Sequence, residues 1–258
     1  MKRSQKVRQG RDIPQPKYQF SIPTIKPITS NQALFMDALR TKQLVIADGS
    51  SGTGKTYLAC HWAVKNLIER NIKKIVLIRC YQPLAGRTIG FVPGDATEKL
   101  MPYYQQMVDY IEEFYSKAKT EIALKNNDIE ICSLENIRGR SWDNTIVIVD
   151  ESQGLFIPEV QALVTRIGDG SQMILVGDAS GFQSDFHGSM NGLTYLQKLT
   201  LKYHIEDCAT ITFTSDDIVR SGIVKEFVKA FESEVTEEQI GFEIIKQKEI
   251  FSQIKKSR

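Results

Sequence analysis

Cysteine is scarce in this sequence, and where it occurs it is scattered. The four cysteines stand at 60, 80, 132 and 208, without the paired spacing that holds a metal or staples a small secreted domain. A reducing compartment is the simplest setting for such a chain, and a cytoplasmic location is expected. Long apolar runs are missing too. No stretch approaches the ~20 residues that a membrane-crossing helix needs, so no membrane partner is expected. The basic start, "MKRSQKVRQGRDIPQPK", is followed by no apolar segment and does not read as a secretory signal. No internal repeat is visible, and the guanine-reading pattern Asn-Lys-x-Asp is absent.

What is present is an ordinary globular composition, 41% hydrophobic and 25% charged in 258 residues. That length suits one large domain or two small ones. The net charge of +2 conceals an uneven split: Met1 to Lys17 sets six basic side chains against Asp12, a local +5 that leaves −3 on the rest. A basic arm of this kind either holds a polyanion by releasing its counterions or is simply a solvated tail.

Past the arm, strand-like apolar runs alternate with helix-like stretches. "QLVIA", "KKIVLIR", "IEICS", "TIVIVD", "QMILVGD" and "CATITFT" read as strands. "TYLACHWAVKNLIER" reads as a helix, and the segment from Thr97 to Ile122 as an amphipathic one broken near Pro102. "DDIVRSGIVKEFVKAFE" reads as a helix opened by its two aspartates. Near-continuous apolar strands between helices predict a mainly parallel sheet covered on both faces, an α/β fold.

The chemistry gathers behind the first strand. "GSSGTGKT", Gly49 to Thr56, fits G-x-x-x-x-G-K-[ST]. Its glycines let the backbone turn tightly enough to aim N–H groups at phosphate oxygens, and the helix that follows adds its positive end. The nucleotide contacts are expected from Gly49, Ser50, Ser51, Gly52, Thr53 and Gly54, with Lys55 on the β and γ phosphates, Thr56 on Mg²⁺ and Tyr57 just beyond. The run "NTIVIVDESQ" supplies a second element. Asp150, at a strand's carboxyl end, suits orientation of a hydrated Mg²⁺, and Glu151 suits polarising the water that attacks the γ-phosphate. "QMILVGD" repeats the strand-then-acid layout at Asp178. Gln183 and Asp185 follow, and an amide there would sense the γ-phosphate. The missing guanine pattern favours ATP.

Taken in order, "GSSGTGKTYLA", "PLAGRTIGFVPGDATEKLMPYY", "NIRGRSWDNTIVIVDESQ", "LVGD…QSD" and "DDIVRSGIV" resemble the phosphate-starvation-inducible PhoH-like family, P-loop ATPases related to the superfamily 1 helicase core. The second motif is the most specific. The resemblance covers about Ile28 to Glu232 and divides the chain into a basic arm (1–27), an ATPase domain (28–232) and a charged extension (233–258). It implies a three-layer RecA-like fold, ATP with Mg²⁺, association with single-stranded RNA or DNA, and ring assembly, hexameric in the fullest form. Carried over residue by residue, Gln32 matches the glutamine that implies adenine recognition. Arg138 and Arg140 match an "RGR" that meets phosphates of nucleic acid or nucleotide, the alternative being a solvated basic turn. Arg220 matches an arginine placed to neutralise charge growing on the γ-phosphate, alongside Lys55 and Glu151 as the catalytic set.

The chain also departs from the family. Aligned on Ala85, the places of its Arg-Pro hold Cys80 and Tyr81, with Arg79 beside them. Its "DEAQN" reads Asp150-Glu151-Ser152-Gln153-Gly154, and the spacing before Gln183 is stretched by two residues.

There is one P-loop and no room for a second lobe, so a lone lobe leaves half its nucleotide site in water. A head-to-tail homo-oligomer, with Arg220 or another basic residue serving a neighbour, completes it. The expected activity is ATP hydrolysis coupled to RNA or DNA, with Tyr103-Tyr104 as either a stacking pair or core. A nucleotide-switched scaffold for a protein partner is the alternative. A small-molecule kinase is disfavoured because the Asp-Glu pair suits attack by water.

Overall fold

The computed structural model describes residues 22–80, 96–179 and 191–234. Six strands form one sheet: β1 (Leu44–Gly49), β2 (Lys74–Arg79), β3 (Ile129–Ile131), β4 (Thr145–Asp150), β5 (Gln172–Gly177) and β6 (Cys208–Phe213). The order is β3-β2-β4-β5-β1-β6, and every paired neighbour is parallel. All six expected strands are present.

Alternation along the strands splits the core in two. Val45, Ala47, Ile75, Leu77, Ile146, Ile148, Ile174 and Val176 face one side. Leu44, Ile46, Val76, Ile78, Val147, Val149, Met173 and Leu175 face the other. Side chains buried on both faces are what make these strands read as continuous apolar runs. The first face is covered by α1 (Ser30–Thr41), α2 (Lys55–Ile68), α3 (Ala96–Tyr115) and α4 (Lys117–Lys125), through residues such as Phe35, Leu58, Ile111 and Ala123. The second is covered by α5 (Ile157–Val164) and α6 (Gly192–Tyr203), through Val160, Leu163, Leu193 and Leu196. The result is the three-layer α/β architecture. Each fully buried aliphatic or phenyl side chain adds about 1.5–3 kcal/mol over leaving it in water. A further helix, α7, runs over 222–234. Among the described residues no helix is long and apolar enough to cross a membrane.

Two local expectations change. The long helix does not break near Pro102; α3 runs through it and ends at Tyr115, followed by Ser116 at φ 72. Pro102, the seventh residue of α3, costs the helix one intrahelical bond and crowds the carbonyl one turn back without ending it, whereas a left-handed residue turns the chain. The two aspartates do not open a long helix either. Ser215–Asp217 form a short 3-10 turn, in which the Asp217 carboxylate accepts from the Thr214 backbone at 2.9 Å and from Asn31 Nδ2 of α1 at 2.8 Å. Asp217 thus holds α1 to the end of β6, and α7 starts only at 222.

The chain leaves β1, crosses to β2 on the far side, and later fills the gap with β4 and β5. All carboxyl ends therefore lie along one edge, and the crevice there is where ligands of such sheets bind. Ile22 and Ile25, ahead of α1, pack against the first core, and His61 Nε2 meets the Pro23 carbonyl at 2.8 Å.

Candidate functional site

The loop after β1 bends through Gly49, Gly52 and Gly54, at φ of +126, +81 and +86. These angles lie in the left-handed region, where a Cβ is strained. At Gly49 there is no room for one either, since it would stand 1.9 Å from the Phe213 carbonyl oxygen. Gly54 precedes the first residue of α2 and offers no side chain to cap it, so the helix's first N–H groups are left for a ligand.

Lys55 is 7% exposed. Its ammonium donates to the carbonyls of Gly49 at 2.6 Å and Ser50 at 2.7 Å, and to Thr53 Oγ1 at 3.1 Å. Burial lowers its pKa, and Asp178, Asp48, Asp150 and Glu151 oppose that shift. The loop thus holds a desolvated cation on its own carbonyls, ready to exchange them for phosphate oxygens.

The carboxylates come from the far side of β5. Asp150 ends β4, and its Oδ1 accepts from Thr56 Oγ1 at 3.0 Å. Burial raises the Asp150 pKa; Arg79 pulls it down and Glu151 pushes it up, and the net direction is upward. Glu151 stands at φ 53, left-handed for a residue with a side chain. Arg79, opposite Asp150 in the β2–β4 register, lies between the two acids. Its Nη1 is 3.6 Å from Asp150 Oδ2, and its Nη2 donates to Glu151 Oε1 at 2.9 Å. Nη1 also donates to the Tyr103 carbonyl of α3 at 2.9 Å. Thr56 and Asp150 offer two adjacent hard oxygens, one of them anionic, a donor set that fits Mg²⁺.

A cleft of about 310 Å³ joins these groups, at the small end of the range for ligand sites. Ser51 to Tyr57 line it, with Asp150, Glu151 and Asp178 at the phosphate end. Gly49 and Ser50 are absent from the lining and act through their carbonyls on Lys55; the Ser50 hydroxyl donates to the Glu232 carboxylate of α7. Ile25, Ile28, Gln32 and Tyr110 complete the lining, with Gln32 against the loop itself. The buried Gln32 amide donates to the Thr53 carbonyl at 3.0 Å and accepts from the Ile28 backbone at 2.7 Å. That leaves it capacity for one further donated and one further accepted bond. Tyr57 meets Tyr110 edge-on with centroids 5.2 Å apart, and burial, with its bond to Glu113, pushes its pKa up to about 12.

Arg220 lines the cleft of its own chain, where its side chain crowds Gly52, and the adjacent Val219 N–H donates to the Gly52 carbonyl at 3.1 Å. Arg138 and Arg140 do not line it. Arg140 pairs with Glu130 on the outermost strand β3, and Glu130 also accepts from Lys74 at 3.0 Å. Tyr104 is core, its hydroxyl donating to the Cys132 carbonyl at 3.0 Å. Gln183, Asp185 and the segment "PLAGRTIGFVPGD" lie outside the described residues.

Sequence reasoning named Arg79 and Gln153 and gave neither a role in the site. Arg79 carried one usable signal, its position as the last residue of a strand whose carboxyl end faces the crevice. Gln153 carried one as well, being two residues past Glu151.

The sequence matches the family described as PhoH-like protein over residues 24–232. It is 35% identical over 212 residues to a PhoH-like protein of Bacillus subtilis, covering 82% of this chain and 65% of that one. It is 32% identical over 219 residues to one of Mycobacterium leprae, covering 84% and 61%. The chain thus spans less than two thirds of the length of these relatives. Among solved structures it is similar to the N-terminal domain of the DNA packaging ATPase from bacteriophage phi29, at 14% identity and a TM-score of 0.44 over 75% of this chain and 98% of that one, a likeness too loose to argue from.

Proposed function

The chain belongs to the PhoH-like family, and from that premise we propose that it hydrolyses ATP with Mg²⁺ and couples the cycle to single-stranded RNA or DNA as a homo-oligomer. The observation that carries the hydrolytic part is the contact of Thr56 Oγ1 with Asp150 Oδ1 at 3.0 Å, with Glu151 lining the same cleft. The loop amides and Lys55 bind the β and γ phosphates. Thr56 and Asp150 hold the metal, which supplies positive charge against the triphosphate when bound. Glu151 takes the proton of the attacking water, and Arg220 neutralises charge that grows on the γ-phosphate, from its own chain's side of the site. Gln32 reads adenine with its two spare hydrogen-bonding positions, since N7 accepts and N6 donates.

The basic composition of Met1 to Lys17, six basic side chains against one acid, supports the nucleic-acid part, since such a segment can bind a polyanion by releasing its counterions. The cleft opens to solvent among the described residues, and a second copy that covered it would complete the site, which supports assembly. The scaffold reading draws on the exposed apolar stripe of Ile223, Phe227 and Phe231 along α7, which suits a protein partner.

ATP turnover measured with single-stranded RNA, with DNA and with neither tests the choice. A strong, salt-sensitive rise with nucleic acid supports the motor; slow turnover indifferent to both supports the scaffold. Glu151→Gln is expected to bind ATP normally while turnover falls by about 10²–10⁴. Normal turnover in that variant ends the assignment of Glu151 as base.

A further inference from the structure

Glu151 is gripped on both oxygens, by partners of different kinds. Oε1 accepts from the charged Arg79 at 2.9 Å, and Oε2 accepts from Gln153 Nε2 at 2.7 Å. Gln153 is 6% exposed and does not line the cleft; it stands behind the carboxylate. The other end of its amide is also committed, for Gln153 Oε1 accepts from the Asp178 backbone N–H at 3.1 Å. That bond fixes the amide's orientation. An N–H needs an acceptor and a carboxylate needs a donor, so only one flip of the amide satisfies both.

The location gives this bridge its meaning. β4 and β5 stay in register as far as Val149 and Leu175. Past that point the Gln153 side chain connects the two strand ends, tying one cleft acid, Glu151, to the backbone of another, Asp178. The packing is built around the bridge: a Cβ on Gly177 would stand 2.8 Å from Gln153 Oε1 and 2.9 Å from its backbone nitrogen. The two grips also differ electrically. Arg79 lies against Asp150 as well, so its charge opposes a cation at that acid. The amide is neutral, holds the carboxylate without neutralising it, and feels no such opposition.

We propose that Gln153 is the positioning residue for Glu151: it fixes Oε2 from behind, so that the carboxylate keeps its aim when Oε1 exchanges Arg79 for the water, and it ties that aim to the end of β5 at Asp178. The role rests on the reading of Glu151 as base. Gln153→Glu keeps the volume and the acceptor for the Asp178 N–H but sets a second carboxylate against Glu151, so it replaces the donor with like-charge repulsion. Gln153→Met keeps the length and lacks both.

The test uses the full chain. kcat and KM for ATP come from steady-state turnover, ATP affinity from calorimetry and folding from thermal melting. Both variants are expected to bind ATP within about threefold of wild type, with KM little changed and kcat down roughly ten- to a hundredfold, the range for losing a charge-assisted bond. Turnover within twofold of wild type in Gln153→Met, which removes the donor without adding a charge, overturns the proposal. If that variant fails to fold, near-normal kcat in Gln153→Glu overturns it equally. A slow Gln153→Glu beside a normal Glu151→Gln overturns it too, because what Gln153 holds is then not the base. A wild-type protein that turns over no ATP overturns the hydrolytic reading itself, and the proposal with it.

Discussion

The two ends of the cleft are built by opposite strategies. The phosphate end is mostly backbone: the loop between β1 and α2 supplies amides and a helix terminus, and one lysine anchors it to its own carbonyls. The other end, to which the proposed function assigns the adenine base, is mostly side chains from distant places, with Ile25 and Ile28 ahead of α1, Gln32 on α1, Tyr57 on α2 and Tyr110 on α3. A backbone site needs glycines at fixed spacing and tolerates little else. An assembled site needs only groups of the right shape brought together by the fold. Strength is expected to reside at the first end and discrimination at the second.

The hardest test of that contrast is Lys55→Ala. Removing the ammonium is expected to cost at least about a hundredfold in ATP affinity, since charge-assisted contacts to phosphate are among the strongest in a site, and to abolish turnover. Calorimetry that found unchanged binding would erase the distinction between the ends. Gln32→Ala probes the other end more gently. Losing one bidentate amide is expected to raise KM for ATP about ten- to a hundredfold, with kcat within about threefold. Competition by GTP sharpens the comparison. If Gln32 reads the base, the ATP-to-GTP preference shrinks; if it only pins Thr53 and Ile28 in place, both nucleotides weaken together and the ratio holds. The smallest effect is expected at a side chain beside Glu151 that does not line the cleft. Ser152 Oγ is buried with no hydrogen-bond partner among the described residues, so Ser152→Ala relieves a desolvated hydroxyl. It is expected to stabilise the fold by up to about 1 kcal/mol, a rise of about 2–4 °C in Tm, with turnover unchanged. A loss of stability would mean that the hydroxyl has a partner after all.

The same contrast governs what could be read from the sequence. The six strands were legible because burial on both faces leaves unbroken apolar runs such as "TIVIVD" and "QMILVG". The loop was legible because its requirements are local, three left-handed glycines and a lysine within eight residues. Asp150 and Glu151 were legible as the acids that end a buried strand. Arg79 and Gln153 were legible only as neighbours of the acids, because their value lies in what stands across the sheet, at Asp150 and at Asp178, and their positions along the chain do not record those partners. The start of α7 was misplaced for the same reason: Asp216 and Asp217 look like helix openers, but Asp217 is engaged by Asn31, 186 residues away along the chain. Pro102 misled in the other direction, since a proline inside a helix need not end it.

The nearness of Gly49 to the Phe213 carbonyl joins the sheet's outermost strand on that side to the loop that grips phosphate. The gentlest-looking change in the loop, one added methyl group at position 49, would wedge β6 outward. A lineage drifting at this position would therefore meet a folding defect before it met a chemical one, and the glycine would be kept under selection even in a descendant that had given up its nucleotide.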